Sequence, residues 1–234
     1  MITLARIVLA AATLAAGTAA ADELPHYTLT EPAIVQLDEG GGEGAHGVGS
    51  LLSGRTVGAG ADVIQAQFGW PLVGISYLHG IHDKLDVGGT FAFAYGFEGT
   101  VHTNPGLKMA GLIRVGLLDN GKVNLGIRFD PGITMYFNDP FTFGIATPIQ
   151  LALGVSAGDA IMISFAISMP MTVFFTPDVF FSMPILSGVG VEYHVDSHLS
   201  VTLNTGFGPD VFIGRNGHGT EFAFFTLAGI GYRL

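Results

Sequence analysis

The stretch Leu85–Phe97, LDVGGTFAFAYGF, alternates with a period of two. Leu85, Val87, Gly89, Phe91, Phe93, Tyr95 and Phe97 fall on one side of the alternation, and Asp86, Gly88, Thr90, Ala92, Ala94 and Gly96 on the other. Successive side chains of a strand point to opposite faces, so this is a strand with one bulky face and one small or polar face. A soluble sheet turns its polar face to water and crowds its apolar face into a core. Here the small face is the one suited to enclosure, and the bulky face ends in aromatics. That pattern belongs to a strand with lipid outside and a lumen inside.

Working outward, the same logic covers most of the chain. Strands are expected near Leu72–Ile81, Leu85–Phe97, Leu107–Leu118, Lys122–Asp130, Phe143–Val155, Ile161–Val173, Ile185–Val195, Leu199–Phe207 and Phe222–Leu234. Each is long enough to cross an outer membrane at a tilt. A first strand is sought in either Val48–Val57 or Ile64–Phe68, or in the two together as one long, broken strand. The total is about ten, with eight and twelve as the neighbouring even counts. Tight turns at His82-Asp83-Lys84, Asp119-Asn120-Gly121, Ser156–Asp159 and Asp196-Ser197-His198 alternate with longer segments around Thr100–Gly106, Pro131–Thr142, Thr176–Pro184 and Pro209–Thr220. Short periplasmic turns and longer outer loops make a closed antiparallel up-and-down transmembrane β-barrel. A three-residue loop at Asp119-Asn120-Gly121 pairs Leu118 with Lys122, sets Arg114 opposite Gly126 and makes Arg128 its diagonal neighbour.

Composition agrees. Of 234 residues, 12% are charged and 49% hydrophobic, against about 25% charged in ordinary soluble domains. No apolar run after the N-terminus is long enough for a membrane helix. Residues 1–21 have the form of a secretory signal: Arg6, a short apolar run, then Ala19-Ala20-Ala21. Residues 22–47, rich in Gly and acid, are expected to be a flexible periplasmic segment, with an inward-folded plug as the alternative. Residues 48–234 then form the barrel. With no cysteine, thiolate chemistry and disulfides are out. A net charge of −10 argues against a nucleic-acid partner.

Aromatics gather at strand ends. Tyr95, Phe97, Phe129, Tyr136, Phe137, Phe141, Phe143, Phe174, Phe175, Phe180, Phe181, Phe207 and Phe222 mark the loop side, and Tyr77, Tyr193 and Tyr232 the turn side. Two girdles around an aliphatic band are expected.

The opposite parity gives the lumen. Lys108, Arg114, Arg128, Asp130, Glu98 and Glu192 are its candidate lining residues, interleaved with glycines such as Gly116, Gly126, Gly154 and Gly190. Enclosed charges must pair, and Glu192, Glu98 and Asp130 are the acids available to the two arginines, with Asp130 also a diagonal neighbour of Lys108. Such a network is either a structural lattice or the lining of a narrow pore or pocket for a small anionic solute. His79 with His82, and His194 with His198, have metal-like spacings, but around a β-turn these do not gather the rings, so no metal and no cofactor is expected. Asp139, Asp210, His218 and Glu221 in the outer loops are the residues from which an enzymatic rim would be built.

The chain ends Gly229-Ile230-Gly231-Tyr232-Arg233-Leu234. This resembles the C-terminal β-signal of bacterial outer-membrane proteins, carried here by Gly229, Tyr232 and Leu234; it departs in ending with Leu rather than Phe, and in Leu227 standing where a polar residue is usual. The hairpin Tyr77–Gly89, YLHGIHDKLDVGG, resembles hairpins of small outer-membrane barrels. The resemblance implies a bacterial outer-membrane location, a periplasmic N-terminus after signal cleavage, lipid contact, and handling by the barrel assembly machinery. The expected function is structural, or limited passage or binding of a small solute. The alternatives are an outer-membrane barrel enzyme of lipid A hydrolase or protease type and a soluble secreted β-sandwich binding protein.

Overall fold

The computed structural model describes residues 49–215 and 217–234. The expected signal and the 22–47 segment lie outside them. The strands are β1 Asp62–Trp70, β2 Leu72–His82, β3 Leu85–Gly96, β4 Thr103–Asp119, β5 Val123–Phe129, β6 Gly132–Tyr136, β7 Thr142–Ser156, β8 Ile161–Phe174, β9 Phe180–Pro184, β10 Leu186–His194, β11 Leu199–Gly214 and β12 Gly217–Arg233. All pair antiparallel, and the last closes on the first, with Val63 opposite Arg233 and Trp70 opposite Thr226. The sheet is therefore a closed barrel without edges.

Twelve segments make ten wall positions, because β5 with β6 and β9 with β10 each form one interrupted strand. The register runs unbroken across both interruptions. Phe129 faces Ile113 and Gly132 faces Ala110 on β4; Pro184 faces Asp210 and Ser187 faces Phe207 on β11. Proline explains the breaks, since Pro131 and Pro184 lack the N–H that a ladder needs. Thus β6 and β9 were hidden in what reads as loop.

Of the two stretches weighed for the first strand, Ile64–Phe68 lies within β1. Residues 49–57 form no strand; they lie inside the barrel. The hairpin at Asp119–Lys122 also differs from expectation. Leu118 pairs with Leu125, not with Lys122, and a bulge between Gly116 and Leu118 restores the alternation below it. Arg114 consequently stands directly opposite Arg128, and Gly116 opposite Gly126. The bulge preserves which face each residue takes while moving its partner by two.

The outer surface is apolar. Phe91, Ile127 and Phe165, on three different strands, are 47%, 39% and 49% exposed and point away from the lumen. Inward positions are buried and include Leu78, Asp86, Leu112, Arg114, Ser164 and Glu192. This inversion of the usual inside and outside rules out the soluble two-layer sandwich. One expectation fails in part: Phe97, Tyr136, Phe174 and Phe180 are not girdle residues. They stack on one another inside the barrel, with Phe174 and Phe180 ring centroids 4.5 Å apart. Phe137, Phe141, Phe175, Phe207 and Phe222 stay exposed at the loop end.

Candidate functional site

The lumen is filled at both ends. At the short-turn end, residues 51–58 run around the inner wall like a hoop. Leu51 occupies the space a side chain at Gly231 of β12 would need; Leu52 does so at Gly190 of β10, Ser53 at Gly154 of β7, Gly54 at Gly126 of β5, and Gly58 at Gly80 of β2. At Gly126 an added Cβ would lie 2.7 Å from the Gly54 Cα. The inward glycines thus leave room for the hoop, for its side chains at Gly231, Gly190 and Gly154 and for its backbone at Gly126 and Gly80.

Charged groups fasten the hoop. The Glu192 carboxylate accepts hydrogen bonds from Ser50 Oγ at 2.7 Å and from Leu51 N at 3.0 Å. The Asp86 carboxylate accepts from Val57 N at 3.2 Å. Arg114 donates through Nε to Asp86 at 2.7 Å and through Nη1 to the Ser50 carbonyl oxygen. At the rim, Arg55 pairs with Asp119 at 2.8 Å, and Thr56 donates to the Asp83 carbonyl oxygen at 2.5 Å. The acid beside Arg114 is therefore Asp86, its direct cross-strand partner, and not one of the three acids expected. Sequence could have found it, because Asp86 and Arg114 share the inward parity, but only with the β3–β4 register in hand.

At the loop end, the turn after β3 folds inward. Glu98 and Thr100 are buried, and the Gly99 carbonyl accepts from Phe224 N on β12 at 2.8 Å. Tyr136 donates to Glu98 Oε1 at 2.7 Å, Glu98 N donates back to the Tyr136 hydroxyl at 3.1 Å, and Thr172 donates to Oε2 at 3.3 Å. Lys108 pairs with Glu98 at 2.9 Å rather than with Asp130. The Phe97, Tyr136, Phe174 and Phe180 rings close over this cap.

Between hoop and cap lies a cavity of about 240 Å³, adjoined by one of about 210 Å³; Glu98, Lys108, Arg128 and Asp130 are among the residues that line both. Its floor includes Leu51 and Leu52, and Leu186, Phe225 and Leu227 line an apolar side. Arg128 Nε is held by Asp130 at 2.8 and 2.9 Å. Among the described residues its Nη amines have no protein partner. The Thr134 hydroxyl, fully buried in the wall of the smaller space, is likewise unpartnered. The six candidate lumen residues therefore split: Arg114 and Glu192 serve the hoop, Glu98 and Lys108 pair at the cap while also lining the cavity, and Arg128 with Asp130 lines it beside them.

Of the four rim residues two meet: Asp210 and Glu221 stand opposite each other in the β11–β12 ladder. Asp210 is buried and accepts from Ser182 Oγ at 3.0 Å; Glu221 pairs with His102 at 3.4 Å. His218 lies three residues from Glu221 on β12 and so on the other face, and Asp139 is exposed in the β6–β7 loop. Turn-end histidines take local partners: His79 meets Asp62 at 2.8 Å, and His194 meets Ser200 Oγ at 2.8 Å. Among the described residues no group of three or more His, Asp or Glu is placed to hold a metal ion, and no helix is long and apolar enough to cross a membrane. At the C-terminus, Tyr232 and Leu234 face outward, Leu234 N donates to the Asp62 carbonyl at 2.9 Å, and Gly229 packs inward against Thr202.

No protein-family model and no curated protein matches the chain. Among solved structures it is similar to the outer membrane protease OmpT of Escherichia coli (11% identity, 76% of this chain and 94% of that one, TM-score 0.44). It is also similar to the N-terminal β-barrel domain of Pseudomonas aeruginosa OprF (11% identity, 76% and 99%, TM-score 0.35). A third is Ail, the attachment invasion locus protein of Yersinia pestis (9% identity, 74% and 94%, TM-score 0.21). At such identities and TM-scores the likeness carries no residue roles.

Proposed function

We propose that this chain is an integral protein of the bacterial outer membrane whose closed lumen binds a small anionic solute, and that it is neither an open pore nor an enzyme. The membrane reading rests on the exposed apolar wall. Phe91, Phe93, Ile149, Leu151, Phe165, Ile167, Val189 and Leu203 are all more than one-third exposed, a patch far beyond what a soluble monomer tolerates. Both ends of the wall and all four tight turns lie on one side, as Leu234 bonds to Asp62 and Arg233 to His198, which fits a periplasmic N-terminus. The β-signal at Gly229, Tyr232 and Leu234 makes the barrel assembly machinery the expected partner.

The solute reading rests on one observation: among the described residues the Arg128 Nη amines have no protein partner, and Arg128 borders an empty space. An unpaired guanidinium amine in such a site favours a carboxylate or phosphate. The test is folding into detergent and then planar bilayers. The folded chain runs faster unheated than heated on a gel and gives no stepwise conductance. A mature chain that stays in solution without detergent refutes the membrane reading; sustained conductance steps refute the closed lumen.

A further inference from the structure

Five residues, Asp130, Pro148, Pro170, Pro184 and Asp210, form a transverse row across the wall. Asp130 N donates to the Pro148 carbonyl at 3.1 Å, Pro148 faces Pro170, and Pro184 faces Asp210. Pro170 and Pro184 stand opposite each other between the pairs Ser168–Leu186 and Thr172–Ser182.

The chemistry of this row is unusual for a barrel. In antiparallel pairing, a residue's N–H and C=O point toward the same neighbouring strand, and bonded pairs alternate with unbonded ones. Pro148 turns its carbonyl to Asp130, so its pair with Pro170 is the unbonded kind. The bonding edge of Pro170 therefore faces Pro184. Neither proline has an N–H, so both ladder bonds of that pair are missing. Here β9 ends at Pro184 and β10 begins at Leu186. Ser168 and Pro170 on one bank, and Leu186 on the other, line the central cavity. The hoop lies on one side of this cavity and the aromatic cluster of Phe97, Tyr136, Phe174 and Phe180 on the other, and the wall pair that lacks both ladder bonds stands beside it.

We propose that the seam between β8 and β9–β10 admits a single-chain anionic amphiphile from the membrane into the cavity, with its carboxylate at Arg128 and its chain against Leu51, Leu52, Leu186 and Leu227. This deepens the solute reading above and rests on it. The cavity is amphipathic in the required sense: Lys108, Arg128 and Asp130 lie on the β4–β5 side, and the leucines lie on the hoop and the far walls.

The experiment uses the folded full chain in detergent micelles with dodecanoate labelled with ¹³C at its carboxyl. The expected result is a saturable bound carboxyl resonance, weakened at least tenfold in affinity by Arg128→Gln. The M169C/I185C pair spans the seam on the outer face. Its oxidation is expected to slow exchange between free and bound probe at least tenfold, with recovery on reduction. P170A/P184A, which returns both missing donors, is expected to slow exchange without a disulfide and covers the case in which the cysteine pair fails to fold. Absence of a bound resonance overturns the site, and an exchange rate unchanged by either double variant overturns the route. Heat-modifiable mobility of the same samples is independent of both, so loss of the amphiphile reading is distinguishable from loss of the barrel reading.

Discussion

Replacing Glu192 with alanine should free the hoop from the lumen. The Glu192 carboxylate is the shared acceptor for Ser50 Oγ and Leu51 N, both buried. Removing it orphans two donors in the docked state, whereas in the undocked state water satisfies them. A buried donor left without a partner costs about 1–3 kcal/mol, so docking should weaken by about 3 kcal/mol, or roughly a hundredfold in the open population. Arg55 supplies the readout. Its side chain is 14% exposed and paired with Asp119, so trypsin reaches the bond after Arg55 only when the hoop is out. When opening and closing are fast relative to cleavage, the rate tracks that population. Cleavage after Arg55, identified by mass spectrometry in the folded barrel, should therefore accelerate about a hundredfold in Glu192→Ala. Equal rates in the two proteins would refute the idea that Glu192 holds the segment. Rapid cleavage in the unaltered chain would refute its residence in the lumen.

Phe91→Arg, placing a cation on the exposed wall, should destabilise the barrel by about 2–4 kcal/mol near the bilayer midplane, measured by urea unfolding in vesicles. Tyr136→Phe removes the hydroxyl that both donates to and accepts from Glu98. The cap should loosen, and acrylamide should quench the single tryptophan, Trp70, which packs beside Gly96 just before it, more strongly. At the Asp196 turn, the backbone N–H groups of His198 and Leu199 donate to the carboxylate and hold its pKa below the ordinary aspartate value. A depressed folded pKa means the contribution is present above the unfolded value and fades as pH falls through the folded one. The amide resonances of His198 and Leu199 should therefore titrate below the usual aspartate range, and an ordinary midpoint would refute the turn geometry.

What the sequence by itself determined is the inversion. Period-two alternation is a local property, written in side chains two apart, and Leu85–Phe97 is enough to say which face meets lipid. Hairpin parity and the even strand count follow from the same local rule, and the bulge at Gly116–Leu118 left the faces intact. What only the tertiary structure decided is what fills the barrel and which residues meet across it. The inward glycines read as spare room; only the folded chain shows residues 51–58 lying in that room. Phe97, Tyr136 and Phe174 sit at strand ends whichever way they point, and inward curling of the loop end turned them into a cap. Asp86 and Arg114, or Pro170 and Pro184, are far apart in sequence, and their meeting depends on the registers of several seams together. Local pattern sets the facing of a side chain; only closure of the sheet sets its neighbour.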